Sequence, residues 1–135
     1  MQPRIMVVDD DLDARKALCS RLRHAGYDPV SVGSGRQAIE EYDRLQPDLV
    51  FLDASMPDVS GFEVCRHIKE HVSGHHATVA LVTGVSTPST DYVQKCASLA
   101  GADHFLSKPY DGRRVVELVD GGSRESSAGR PAVQA

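Results

Sequence analysis

Short apolar runs alternate with stretches of helical period along most of the chain. Ile5-Met6-Val7-Val8, Leu49-Val50-Phe51-Leu52 and Val79-Ala80-Leu81-Val82 are unbroken hydrophobic runs, the pattern of strands buried on both faces. The predicted strands are Ile5 to Val8, Asp28 to Val32, Asp48 to Leu52, Thr78 to Thr83 and His104 to Ser107. Asp28-Pro29 marks the second as an edge strand, because proline donates nothing to a ladder. Helices fill the gaps. The first starts near Leu12, buries Leu18, Leu22 and Ala25, and ends at Gly26, which suits a left-handed cap. The second carries Ala38, Ile39, Tyr42 and Leu45 until Pro47 disfavours helical geometry in Gln46. Ser60-Gly61-Phe62-Glu63 reads as a capping box opening a third helix, with Phe62, Cys65 and Ile68 as its buried stripe. A fourth follows Pro88, spaces Tyr92, Cys96 and Leu99 along one side and stops at Gly101. A fifth, short helix buries Val115, Leu118 and Val119 on one side. Such repeated strand-helix units predict an α/β fold, a doubly wound parallel sheet of five strands covered on both faces by five helices.

From Gly121 onward, Gly-Gly-Ser-Arg-Glu-Ser-Ser-Ala-Gly-Arg-Pro offers too little apolar surface to offset ordering entropy. The expected organisation is one domain over residues 1–120 and a flexible tail or severed linker over 121–135. A chain of 135 residues with 41% hydrophobic and 25% charged residues fits a single core. A net charge of -4 supplies no basic field, so no nucleic-acid contact is expected. No apolar stretch approaches the roughly 20 residues of a membrane span, and no signal-peptide pattern opens the chain. A cytoplasmic location follows as the expectation, and three widely spaced cysteines, Cys19, Cys65 and Cys96, read as reduced thiols.

The chemistry-bearing residues stand where strands stop. Asp9-Asp10-Asp11 closes the first run, Asp53 the third, Thr83 the fourth, and Lys108 follows the fifth. In an open parallel sheet the carboxyl ends of strands line one crevice, so these groups converge. Asp10 and Asp53 would hold a hard divalent cation, magnesium or alternatively manganese, with the Ser55 backbone carbonyl completing the set and Asp9 anchoring a coordinated water. Asp11 reads as a helix N-cap. Asp53 can attack phosphorus to give an acyl phosphate if charge on the transferring group is neutralised, a task suited to the cation and Lys108, with the Thr83 hydroxyl as donor.

The segments Val7-Val8-Asp9-Asp10-Asp11, Leu52-Asp53-Ala54-Ser55-Met56-Pro57, Val82-Thr83-Gly84 and Ala100 through Pro109 resemble those of response-regulator receiver domains of the chemotaxis-regulator type, over roughly residues 4 to 120. The resemblance implies a flavodoxin-like sheet of order 2-1-3-4-5 and phosphorylation of Asp53 by a sensor histidine kinase or a histidine phosphotransfer protein in a two-component system or phosphorelay. It matches Asp9 and Asp10 to the family's acidic pair, Thr83 and Lys108 to its phosphate-binding hydroxyl and lysine, Phe105 to its switch aromatic, and Lys108-Pro109 to a bond usually found cis. Phosphorylation would draw Thr83 inward, let Phe105 follow, and alter a surface that binds a downstream protein. The implied module has no output domain in this chain and catalyses its own phosphorylation and dephosphorylation without being a turnover enzyme. Ser55 and Val85, two residues past Asp53 and Thr83, offer no group to orient a hydrolytic water, so a long-lived phosphoryl group is expected.

A magnesium-dependent phosphatase resembling haloacid dehalogenases would need a second acid where Ser55 stands, and an unphosphorylated adaptor would have no use for the full set of acids, hydroxyl and lysine. His67, His71, His75 and His76 suggest a surface metal site only if a helix runs through Gly74, and a solvated face is the better reading. Arg113 and Arg114 likewise read as a solvated helix face.

Overall fold

The computed structural model describes residues 2–70, 77–84, 95, 98–108 and 110–125. β1 (Ile5–Val8) leads into α1 (Leu12–His24), β2 (Val30–Val32) into α2 (Gly35–Leu45), and β3 (Leu49–Asp53) into α3 (Gly61–Lys69). β4 (Thr78–Thr83) is followed by α4, helical at residues 95 and 98–100, then by β5 (His104–Ser107) and α5 (Gly112–Glu125). Every strand pairing is parallel, in the order β2-β1-β3-β4-β5. This is the flavodoxin-like, doubly wound arrangement. The connection leaving β1 runs to one side, to β2, and the connection leaving β3 runs to the other, to β4, so the strand order reverses between β1 and β3. Val8 and Leu52 are register partners there, which sets Asp9 and Asp53 side by side at the open end.

Alternation along the strands divides the interior in two. Met6, Val8, Val50, Leu52, Val79 and Leu81 pack with residues of α2 and α3, including Ala38, Tyr42, Val64, Cys65 and Ile68. Ile5, Val7, Phe51, Ala80 and Val82 pack on the opposite face with Leu18, Cys19 and Leu22 of α1 and Val115, Leu118 and Val119 of α5. The central strands are buried on both faces, as their unbroken apolar runs predict.

Helix boundaries follow local chemistry. Asp11 caps α1 by accepting from the Asp13 and Ala14 N–H groups at 3.0 and 3.4 Å. Gly26 takes φ +97° just past its end, where its N–H returns to the Arg23 carbonyl at 3.0 Å. Gln46, before Pro47, is left-handed at φ 43° and closes α2. The Ser60 hydroxyl accepts from the Glu63 N–H at 3.2 Å, the serine half of the expected capping box.

Several expectations give way to packing. β2 begins at Val30 rather than Asp28, and β3 runs from Leu49 through Asp53. Ala25 is exposed because it lies at the cap, past the last turn that faces the sheet, and Cys19 is buried in its place. In α3, Val64 is fully buried while Phe62 lies at the edge of the core. Leu99 is 79% exposed and its small neighbour Ala100 turns inward, its carbonyl accepting from the Cys65 thiol at 3.4 Å. α5 continues through Gly121 and Gly122 to Glu125, so the helix outruns the change in composition. Pro88, Tyr92, Cys96, Val85, Pro109, the histidines 71, 75 and 76 with Gly74, and residues 126–135 lie outside the described residues. Among the described residues no helix is long and apolar enough to cross a membrane.

Candidate functional site

The carboxyl ends of β1, β3 and β4 assemble the site. Asp9 directly follows β1. Its N–H donates to the Val32 carbonyl at 3.2 Å, its Oδ1 accepts the Asp11 N–H at 2.9 Å, and its Oδ2 lies 3.3 Å from Lys108 Nζ. Asp10 is exposed, yet one of its carboxylate oxygens lies within 4.8 Å of oxygens from both Asp9 and Asp53. Asp11 turns away to its capping role, as predicted.

Asp53 is the last residue of β3 and is only 7% exposed. The loop after it is tightly held. The Ala54 N–H donates to the Val82 carbonyl at 2.8 Å, and the Gly61 N–H donates to the Ala54 carbonyl at 2.9 Å. A Cβ on Gly61 would lie 2.1 Å from the Asp53 carbonyl oxygen, so the start of α3 approaches the phosphoacceptor candidate more closely than any side-chain-bearing residue permits. Met56 anchors the loop in the core, and the Asp58 carboxylate accepts from the Gly35 and Arg36 N–H groups at 3.3 and 2.8 Å, fastening the loop to the start of α2. The Ser55 side chain is exposed, and its backbone N–H donates to the Asp53 carboxylate.

Thr83 ends β4 and is 2% exposed, one residue past Val82, the register partner of Asp53. Its carbonyl accepts the Lys108 N–H at 2.7 Å, which ties the lysine to the same end of the sheet. Lys108 Nζ then reaches both acids, at 3.3 Å from Asp9 and 3.7 Å from Asp53 Oδ1. Phe105, in register with Leu81, packs half-buried against the α2–α3 core. All the acids, the hydroxyl and the lysine expected at the site are therefore gathered at one sheet end, with Phe105 one strand away.

Electrostatics show what this costs. Burial pushes the Asp53 carboxyl up to about 6, the Asp9 charge adds to the rise, Lys108 opposes it and Asp10 adds a little more. Burial alone would lower the Lys108 pKa, but Asp9 and Asp53 outweigh it and raise the lysine above its ordinary value. One lysine does not balance three clustered aspartates. A second cation fits, and an all-oxygen donor set of this kind suits a hard divalent ion.

Residues 5–120 match the response regulator receiver domain. The chain belongs to that family. The receiver domain is 35% identical over 120 residues to the DNA-binding response regulator MtrA of Mycobacterium tuberculosis, covering 88% of this chain and 50% of MtrA. It spans about half the length of the curated relatives it matches. Its fold is that of the CheY-like response regulator receiver domain protein from Methanospirillum hungatei, with a TM-score of 0.82 at 22% identity over 96% of this chain and all of that one. The BeF3-activated receiver domain of DrrB, a Thermotoga maritima protein, superposes with a TM-score of 0.79 at 30% identity, covering 92% and 99% of the two chains.

Three contributors had no clear signal in the sequence. Gly61 read only as part of a capping box, and neither Asp58 nor Arg15 drew any reading from the sequence. Their roles depend on partners brought near by the fold.

Proposed function

We propose that this response-regulator receiver accepts a phosphoryl group on Asp53 from the phosphohistidine of a sensor kinase or histidine phosphotransfer protein. The observation that carries the reading is the convergence of Asp9, Asp10 and Asp53 around the Lys108 ammonium. Asp10, Asp53 and the Ser55 backbone carbonyl would hold magnesium, with manganese as an alternative, while Asp9 steadies a coordinated water and Lys108. Magnesium, when bound, supplies neutralising charge for the transferring phosphoryl oxygens. An Asp53 carboxylate oxygen forms the new bond to phosphorus as the bond to the donor imidazole nitrogen breaks, and the product is an aspartyl phosphate. Lys108 offers the phosphoryl group a compact positive charge, and Thr83 a hydroxyl.

The domain modifies its own carboxylate and so acts as a switch rather than a turnover enzyme. Phosphorylation would bias two conformations through Thr83 and Phe105 and change the surface offered to a partner. Phe105 has no hydroxyl, so apolar burial must carry its inward state. The reading includes a cytoplasmic setting, where a kinase could reach the site.

Two outputs fit the domain. One is docking to a separate protein. The other is control of a DNA-binding region in the same polypeptide, which the similarity to MtrA favours, since MtrA is a DNA-binding response regulator of which this chain spans half. The coding sequence beyond Ala135 separates them.

Intact mass after incubation with acetyl phosphate and magnesium tests the core of the proposal. A single phosphoryl adduct is expected in wild type, lost with chelator and absent in Asp53→Asn. An adduct that persists in Asp53→Asn would overturn the assignment. Loss of the label within seconds would remove the expectation of a long-lived phosphoryl group.

A further inference from the structure

The turn that carries the acidic pair is closed by a side chain outside it. The Asp11 N–H donates to Asp9 Oδ1 at 2.9 Å, the Arg15 N–H donates to the Asp11 carbonyl at 3.0 Å, and Arg15 Nη1 donates back to the Asp9 carbonyl at 2.7 Å. Asp10 sits inside this ring of bonds. Arg15 Nε also donates to the Ser31 hydroxyl on β2 at 2.7 Å, so one planar guanidinium joins α1, the end of β1 and the edge strand. A Cβ on Gly33 would lie 3.3 Å from Nη1, a tight contact that the glycine after β2 spares the guanidinium.

We propose that Arg15 is a positioning residue for the divalent-cation site: its fork fixes the Asp9–Asp11 turn so that the Asp9 and Asp10 carboxylates face Asp53. The proposal rests on the reading of these aspartates as the cation site. The physical argument has a sign that separates positioning from plain charge. A cation near an acidic cluster opposes the binding of a second cation, so an arginine acting only through its charge weakens the site, and its removal strengthens it. An arginine acting through its two hydrogen bonds does the reverse, because a freed turn must be ordered again when the ion binds. Lysine keeps the charge but cannot serve both acceptors in the same plane.

Calorimetric titration of magnesium chloride into the full chain decides between them. Wild type, Arg15→Met, Arg15→Lys, Ser31→Ala and Asp10→Ala are compared, with thermal unfolding checking that each is folded at the titration temperature. The expected result is weaker binding in Arg15→Met and Arg15→Lys alike, on the order of tenfold. Ser31→Ala, which keeps the charge and one of the two bonds, should show a smaller loss. Tighter binding in Arg15→Met with Arg15→Lys unchanged would overturn the proposal and leave the metal site standing. No heat from wild type, or unaltered binding in Asp10→Ala, would overturn the metal site and the proposal together. If Arg15→Met does not fold, Arg15→Lys and Ser31→Ala carry the test, and wild-type affinity in both overturns it.

Discussion

Asp53 holds a charge that its surroundings resist. Its carboxyl rises from the ordinary 3.8 to about 6 through burial first and Asp9 second. A carboxyl with a raised folded-state pKa contributes stability that is complete below the unfolded value, near 3.8, and is lost as pH rises through about 6. Metal-free Asp53→Asn is therefore expected to be more stable than wild type at pH 8 by about 1–2 kcal/mol, the difference shrinking toward pH 5. Urea unfolding in the presence of chelator at the two pH values checks this, and equal stabilities at pH 8 would contradict it. Gly61 works by lacking a side chain. Gly61→Ala puts a methyl group 2.1 Å from the Asp53 carbonyl oxygen and 2.7 Å from Ala54 Cα, so backbone must shift. A loss of about 2–3 kcal/mol is expected in urea unfolding, together with weaker magnesium binding. The acids, Thr83 and Lys108 were legible in the sequence because each ends an apolar run. Gly61 was not, since the atoms it would strike belong to a loop that folds back onto it.

At the scale of elements, the loop between β3 and α3 is held from two sides. Met56 enters the core, and Asp58 binds the first two N–H groups of α2 while Ser34 serves the Gln37 N–H at 3.1 Å. Asp58 lies below the ordinary carboxylate range chiefly through its bonds to the Arg36 and Val59 backbone. Hydrogen exchange monitored by NMR should show faster exchange at Gly35 and Arg36 in Asp58→Ala, with Gln37 unchanged because its acceptor remains. Unchanged exchange at Gly35 and Arg36 in the variant would show that the Asp58 bonds do not protect the start of α2. Apart from the fourth helix, whose start lies outside the described residues, and the fifth, which runs longer than expected, the strands and helices were read from the sequence to within a few residues, most securely where apolar runs or caps mark them. Edges were harder. β2 pairs on one side only, so its first two predicted residues have no second ladder to hold them, and at the end of α4 Ala100 rather than Leu99 is buried, its carbonyl bonded to the Cys65 thiol.

For the whole molecule, the free energy of a bound cation is linked to folding. At a magnesium concentration ten times its dissociation constant, the folded state gains about 1.4 kcal/mol. Thermal unfolding should show this as a rise in midpoint that saturates with magnesium in wild type and is lost in Asp10→Ala; a rise that survives the substitution would place the ion elsewhere. The order of apolar runs and helical stretches determined the α/β class, and the residues at the ends of those runs determined which chemistry the open end of the sheet displays. Both are local, because strand period, caps and burial patterns are written within a few neighbouring residues. The strand order came from the family resemblance rather than from the local pattern, and the tertiary structure alone decided the spacing of Asp9, Asp10, Asp53 and Lys108 and the bonds from Arg15 and Asp58. Those depend on residues far apart in the chain, whose distances exist only once the sheet has formed and its register is set.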